Sequence, residues 1–406
     1  MEPTSAPLGA FSPDVPDRVT APHAAAAAPD IECERSRAMK KQMWFAPVVL
    51  ATAVLLLSAC SGPDEDVAAP SAQAGAVPEA VAAIAEQGRQ EISTWPGPTD
   101  SPVTDGTALS VVVVPCGMAT EGCKRQAEGF IEAADALGWE TTLVDPKGDP
   151  SLDNAAIDQA ITQDADAVFL VSIDPDIVAG ALERARDAGI FVVASATDNT
   201  TGLDHEVSLH GDEEGRMLAA QIVVETGGDA KVAMFTGNEF KTVVKRVEGS
   251  KEVFADCSGC EIVAEQDISQ TAGGADLVSL VQSTIQANPD VNVLWAPYDA
   301  AATDMVQAVQ QSGRDDVMVA SFNGNLQNLE FIRAGAPQKI VVGEALEWVG
   351  WAGADAVLRL SQGAPMVEDD GVPARILTAD NLPEKGTAWT GDFDFRSEYS
   401  RMWGIG

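Results

Sequence analysis

The sequence predicts an α/β protein made of two doubly wound lobes, each a parallel sheet with helices on both faces. Three observations carry this reading. Short continuous apolar runs, the signature of strands buried on both faces, recur from Ala108 to Phe395. Amphipathic helical patterns lie between them. The regular region is also longer than one such sheet usually needs, which argues for two lobes.

The first strand lies at residues 111–114, followed by a helix with Ala127, Phe130, Ile131, Ala134 and Leu137 on one face and Gly138 as its stop. Ala156, Ile157, Ala160 and Ile161 mark a second helix, and residues 167–171 the next strand. A helix through Ile177, Val178, Ala181, Leu182 and Ala185 closes at Gly189, ahead of a strand at 190–194. Further strands fall at 232–235, 261–264, 291–295, 317–321 and 340–343. Helices through Leu277, Val278, Val281 and Ile285 and through Met305, Val306 and Val309 separate some of them.

In such sheets ligands sit beyond the carboxyl ends of the strands. Those ends are residues 116–123, 172–174, 195–198, 211–212, 236–238, 298–299, 323–324 and 344, nearly all of them polar. Any single one can be a helix cap or turn, as Asp174-Pro175 illustrates. Eight polar ends facing one crevice are harder to assign to capping alone.

Charge narrows the function. With 62 acidic and 25 basic residues the chain carries −37, which disfavours phosphate backbones and excludes a nucleic-acid binder. Three histidines without HExxH or paired Cys/His spacing argue against a zinc site. The chain has no G-x-S-x-G elbow, P-loop or dinucleotide fingerprint, and no metal or cofactor is implied.

The N-terminus has its own organisation. Residues 1–38 are rich in Ala, Pro and charge and read as a disordered extension or a misassigned start. Met39-Lys40-Lys41 then precedes an apolar run over residues 44–57, too short to span roughly 30 Å of hydrocarbon but of signal-peptide length. It ends in Leu57-Ser58-Ala59-Cys60, which resembles the bacterial lipobox. That resemblance implies a signal peptide at 39–59, a lipid anchor at Cys60 and a place on the outer face of the bacterial cytoplasmic membrane. Only six of the acidic residues precede Cys60, so the acidity belongs to the exported part. Residues 60–107 read as a flexible tether with a short helix near 79–92.

From 108 to 395 the chain resembles the type I periplasmic (substrate-binding) proteins of the ribose/galactose-binding kind. The resemblance rests on the order and spacing of several segments: the helix 126–139, the pair 155–161 and 166–174, Asp187-Ala188-Gly189-Ile190-Phe191-Val192-Val193, and the segments 293–299 and 317–324. It implies a three-stranded hinge near 209–211, 343–346 and 374–377. The first lobe would then be 108–210 plus 345–373, the second 211–344 plus 374–395, with a tail at 396–406. It also implies a ligand site with Asp212, Arg246 in Arg246-Val247-Glu248-Gly249, Asp299, Asn323 and Glu344. Thr120, Glu121, Asp174 and Tyr298 are further candidates at the strand ends. Planar, bidentate side chains of this kind suit pairs of hydroxyls. The aromatic loop usual in the family is replaced here by Met118-Ala119-Thr120-Glu121-Gly122-Cys123, and its Asp-Arg pair by Ala196-Thr197. A hexose is therefore less favoured than a polyol, an amino-bearing ligand or a modified sugar.

Besides Cys33 and Cys60, four cysteines remain, and export permits disulfides. Proximity suggests Cys116 with Cys123 and Cys257 with Cys260, among three possible connectivities. The CxxC spacing of Cys257 and Cys260 also suits a redox site, but its place in a helix-to-strand turn favours a structural staple. The function expected is a monomeric solute-binding subunit of an ABC importer, partnered by a small polar solute and the permease subunits. The alternatives are a sensory protein that presents solute to a receptor, and a glycan-active enzyme using Asp299 and Glu344. The export signal and the missing DNA-binding headpiece exclude a repressor.

Overall fold

A computed structural model describes residues 75–405. The expectations for residues 1–38, the signal segment 39–59 and the Cys60 anchor lie outside the described residues.

The first lobe contains β1 (Ser110–Pro115), β2 (Glu140–Leu143), β3 (Ala167–Val171), β4 (Phe191–Ser195) and β5 (His205–Val207). All pair in parallel, in the spatial order β2-β1-β3-β4-β5. Alternate residues of β1 feed two apolar layers. Val111 and Val113 pack with α2 (Glu121–Leu137), while Val112 and Val114 pack with α3 (Pro150–Thr162) and α4 (Ala179–Asp187). Gly138 ends α2 in the left-handed conformation, and Asp149 caps α3 with Pro150 in its first turn.

The second lobe contains β6 (Lys231–Thr236), β7 (Glu261–Asp267), β8 (Val293–Trp295), β9 (Met318–Asn323), β10 (Gln338–Glu344) and β11 (Ala374–Leu377). Their order is β11-β10-β9-β8-β6-β7, with β11 antiparallel. Its helices are α5 (Gly211–Glu225), α6 (Lys241–Asp256), α7 (Ala275–Ala287), α8 (Asp299–Ser312) and α9 (Leu326–Arg333). The sequence pattern does not disclose the short edge strands β2 and β5, and β11 lies at 374–377, one of the hinge segments that the resemblance implied. None is a continuous apolar run, and β2 has no buried residue.

The chain crosses from β5 to α5 over 208–210 and from β10 to α10 (Leu346–Gln362) at Ala345, then reaches β11 through 363–373. The resemblance implied crossings near 209–211, 343–346 and 374–377; the third connection here runs over 363–373, ahead of β11. The boundaries need two corrections. After β11 the chain returns to the first lobe, where α11 (Phe395–Trp403) packs on α10, so residues 396–403 are no tail. Tyr399 and Trp403 are fully buried, and Trp403 stacks on Trp351 at 5.2 Å. The expected tether is likewise packed from residue 75 onward. The helix α1 (Glu79–Arg89) buries Val81 and Ala85 against α5 and β11 of the second lobe. Trp95 then stacks on Trp348 of the first lobe at 4.5 Å, and the Thr104 N–H donates to the Trp403 carbonyl at 3.0 Å. Composition suggested a linker here; a few apolar anchors override it.

Candidate functional site

The carboxyl ends of the two sheets face each other across a cavity of about 50 Å³. That is room for roughly three or four water molecules. The first lobe lines it with Thr120, Gly122, Cys123, Gln126, Ser172, Ala196 and Leu209. The second contributes Phe240, Thr242, Val243, Arg246, Tyr298, Asn323 and Glu344. The lobes touch at its mouth, where Lys241 pairs with Asp174 at 3.2 Å and the Gln270 amide donates to the Gly148 carbonyl at 3.1 Å.

Arg246 is the centre of the second-lobe wall. Close packing of α5 on α6 places it there: Gly249 rests against the Asp212 carbonyl and Gly215 against the Arg246 carbonyl, where a Cβ would come within 2.0 and 2.1 Å. This explains the glycine of the Arg-x-x-Gly pattern. The guanidinium is 3% exposed. It donates to Glu214 Oε2 at 2.9 Å, to the Pro297 carbonyl at 3.1 Å and to Glu344 Oε1, and lies 4.4 Å over the Phe322 ring. Glu344 also accepts from Asn323 Nδ2 at 3.2 Å. Burial pushes both carboxyls above the ordinary range, and the charge of Glu344 adds to the effect of burial at Glu214. Burial alone would lower the Arg246 pKa, but the two carboxylates raise it and keep it cationic.

Several polar atoms around this cavity have no partner among the described residues. Thr242 and Tyr298, whose hydroxyls are buried without partners, are among its lining residues, and Glu214 Oε1 and Asp198 Oδ2 are buried and partnerless as well. A buried polar atom without a partner costs about 1–3 kcal/mol, so such a cluster asks for a hydroxylated guest. Backbone strain gathers here too. Ser172, Ala196 and Asn323 line the cavity with positive φ of 54°, 55° and 106°. Non-glycine residues hold this conformation at a cost, and such strain often collects at ligand sites.

The expected residues divide clearly. Thr120, Arg246, Tyr298, Asn323 and Glu344 come together at the cavity. Asp174 sits beside it, at the interlobe contact. Three others lie elsewhere. Glu121 is exposed at the start of α2. Asp212 pairs with Arg216 at 2.7 Å on the outer face of α5. Asp299 is fully buried behind Asn323, where Ser321, Gln338 and the Asn325 N–H all donate to its carboxyl. These bonds tie it into the second lobe and take it out of the expected pair with Glu344.

The sequence reading missed Gln126, Phe240, Thr242, Val243 and Glu214. Phe240 was findable as the first aromatic after β6; it meets Tyr298 edge-on at 6.1 Å. Gln126 sits one turn into α2 and accepts from the Ser195 hydroxyl at 2.8 Å. The cysteines pair as Cys116 with Cys123 and Cys257 with Cys260. The first disulfide ties the end of β1 to the first turn of α2, where Cys123 forms part of the cavity wall. The second spans the turn between α6 and β7.

Asp299 gives a pH prediction. Burial pushes its carboxyl up to about 7, against the hydrogen bonds from Ser321 and Asn325. In the unfolded chain it returns to about 3.9. The folded state therefore binds the proton more tightly, and this stabilisation, complete below about pH 4, is lost as pH rises through about 7. Urea unfolding should give a stability higher at pH 5.5 than at pH 8, with Asp299 contributing about 2 kcal/mol of the difference. Asp299→Asn should flatten the profile by that amount; an unchanged slope would contradict the assignment.

The comparisons with known proteins agree with this architecture. A family model described as periplasmic binding protein domain matches residues 111–365. The D-apiose import binding protein of Actinobacillus succinogenes is 29% identical over 218 residues, covering 52% of this chain and 69% of that protein. The ribose import binding protein of Bacillus subtilis is 26% identical over 209 residues, covering 51% and 67%. Among solved structures, a solute-binding protein from Burkholderia graminis in complex with D-arabinose matches with a TM-score of 0.65 and 20% identity, over 70% of this chain and 100% of that one. A solute-binding protein from Mycobacterium smegmatis with bound glycerol gives 0.64 and 19%, over the same shares. Helices α1 and α11 lie outside the family match.

Proposed function

The chain belongs to the periplasmic binding protein family, and from that premise we propose that it captures a small polyhydroxylated solute, a sugar or polyol, between its lobes for an ABC importer. It hands the solute to the permease subunits as a monomer, held on the outer face of the cytoplasmic membrane by a lipid on Cys60. The relatives described above are import binding proteins for D-apiose and ribose, which supports testing pentoses first.

The observation that carries the reading is the cavity's chemistry. A buried guanidinium, two partnerless hydroxyls and the Asn323–Glu344 pair converge from the second lobe. These groups donate and accept hydrogen bonds, which suits reversible capture. A pentose exceeds the room now between the walls, so the lobes part to admit it and close on it by hinge motion.

A thermal-shift screen over pentoses, hexoses, polyols, amino sugars and nucleosides tests this. A true solute at a hundred times its Kd should stabilise the protein by about 2.7 kcal/mol, and calorimetry should give one site per chain. No shift from any polyhydroxylated solute would refute the proposal. For the anchor, Cys60→Ala should leave unprocessed precursor without lipid; normal maturation of that variant would remove the lipobox reading.

A further inference from the structure

We propose that Arg125 is a positioning residue and interlobe latch: from the ligand-facing helix of the first lobe it holds the ligand-facing turn of the second and keeps the cleft closed. The proposal rests on the solute-binding reading of the cavity, and goes beyond it by assigning a residue outside the cavity wall.

Arg125 lies in α2, within one turn of Gly122, Cys123 and Gln126, which form the first-lobe wall. It is 5% exposed, and every nitrogen of its guanidinium donates. Nε and Nη2 form a fork with both carboxylate oxygens of Glu347 in α10, at 2.8 and 2.7 Å. That ion pair stays within the first lobe and aims the remaining donors. Nη1 reaches the Asn323 carbonyl at 3.2 Å and the Asn325 side chain at 3.0 Å, and Nη2 also reaches the Trp389 carbonyl at 2.7 Å.

Asn323 and Asn325 frame the turn after β9, on the opposite wall. Asn323 holds φ at 106°, and Gly324 follows at 72°. The turn is bound on its own side as well: the Asp299 N–H donates to Asn323 Oδ1 at 3.4 Å, and the Trp389 N–H to the Gly324 carbonyl at 3.0 Å. Arg125 supplies the contact from the other lobe. Asn323 pairs with Gly343 in the sheet and Glu347 follows the crossing at Ala345, so the bonds of Arg125 to Asn323 and Asn325 bridge the lobes on the hinge side of the cavity, and the proposal assigns them to the closed arrangement. Breaking them leaves buried carbonyl and amide oxygens short of a charged donor. Each such bond favours closure over opening by about tenfold.

Arg125→Lys keeps the charge beside Glu347 but loses the fork that reaches across. The test needs no ligand. Spin labels at Asp176→Cys and Ala275→Cys, both exposed positions near the cleft mouth, report the interlobe distance by pulsed electron resonance in solute-free protein. Arg125→Lys should raise the open-to-closed ratio by about tenfold or more, with far-ultraviolet dichroism unchanged. A purely structural role would lower the melting point and leave the distance distribution as in wild type, which would overturn the proposal. Should Arg125→Lys fail to fold, Asn325→Ala removes the acceptor instead: a shift to longer distances supports the latch, and an unchanged distribution overturns it. A failed solute screen would refute the proposed function while this measurement still decides the latch.

Discussion

Replacing Arg246 with Met is expected to abolish solute binding and to cost about 3–5 kcal/mol of folding stability, because it strands buried carboxylates around the space it leaves. The guanidinium is the only positively charged side chain lining the cavity among the described residues, and both Glu214 and Glu344 are bonded to it. Both carboxyls already lie above the ordinary range through burial. Without the cation they retain protons to higher pH still, and the charged acceptor at Glu344 is lost with it. The solute loses its strongest donor at the same time, worth about 2–5 kcal/mol when the groups are desolvated. Arg246→Lys should recover much of the stability and little of the affinity, since an ammonium cannot serve Glu214, Glu344 and Pro297 in one plane. Urea unfolding and calorimetry with the screened solute measure the two effects separately. Wild-type affinity in a folded Arg246→Met variant would remove Arg246 from the site.

Trp403→Ala should cost about 3–5 kcal/mol, the range for removing a fully buried large aromatic. Its ring stacks on Trp351, lies against Tyr399 at 5.3 Å, and donates from the indole nitrogen to Asp355 Oδ1 at 2.8 Å. Asp355 is fully buried and also pairs with Arg359 at 2.7 Å, so losing the indole thins a polar contact inside an apolar seam. That seam joins α11 and the segment around Trp95 to α10. Trp403→Phe should lose less, because it keeps part of the stacking area. A change below about 0.5 kcal/mol for Trp403→Ala would mean that the C-terminus is the dispensable tail that the resemblance implied.

The contrast between Trp403 and Arg246 shows what the sequence discloses. Central strands announce themselves because burial on both faces demands continuous apolar runs, and the helix stops at Gly138 and Gly189 are equally plain. Packed extensions are harder to see. In α11 the anchors Phe395, Tyr399, Met402 and Trp403 do follow helical spacing, but arginine, serine and glutamate between them mask the pattern. At the site, the strand-end rule leads to the interlobe cavity without resolving which way a side chain turns. Asp212 and Glu214 are two residues apart at the start of α5, yet the first faces outward to Arg216 and the second inward to Arg246. Asp299 begins α8 at a ligand-facing strand end, but three donors from its own lobe draw it into the core. Such choices depend on neighbours that are distant in the chain.

The most direct test is a crystal structure of the protein with the solute that the screen selects. The account predicts density between the lobes, bonded to Arg246 and Asn323 and giving the Thr242 and Tyr298 hydroxyls their missing partners. Density elsewhere, for instance in the surface groove beside α1 lined by Ile84, Gln87 and Met217, with the interlobe side chains unchanged, would contradict it.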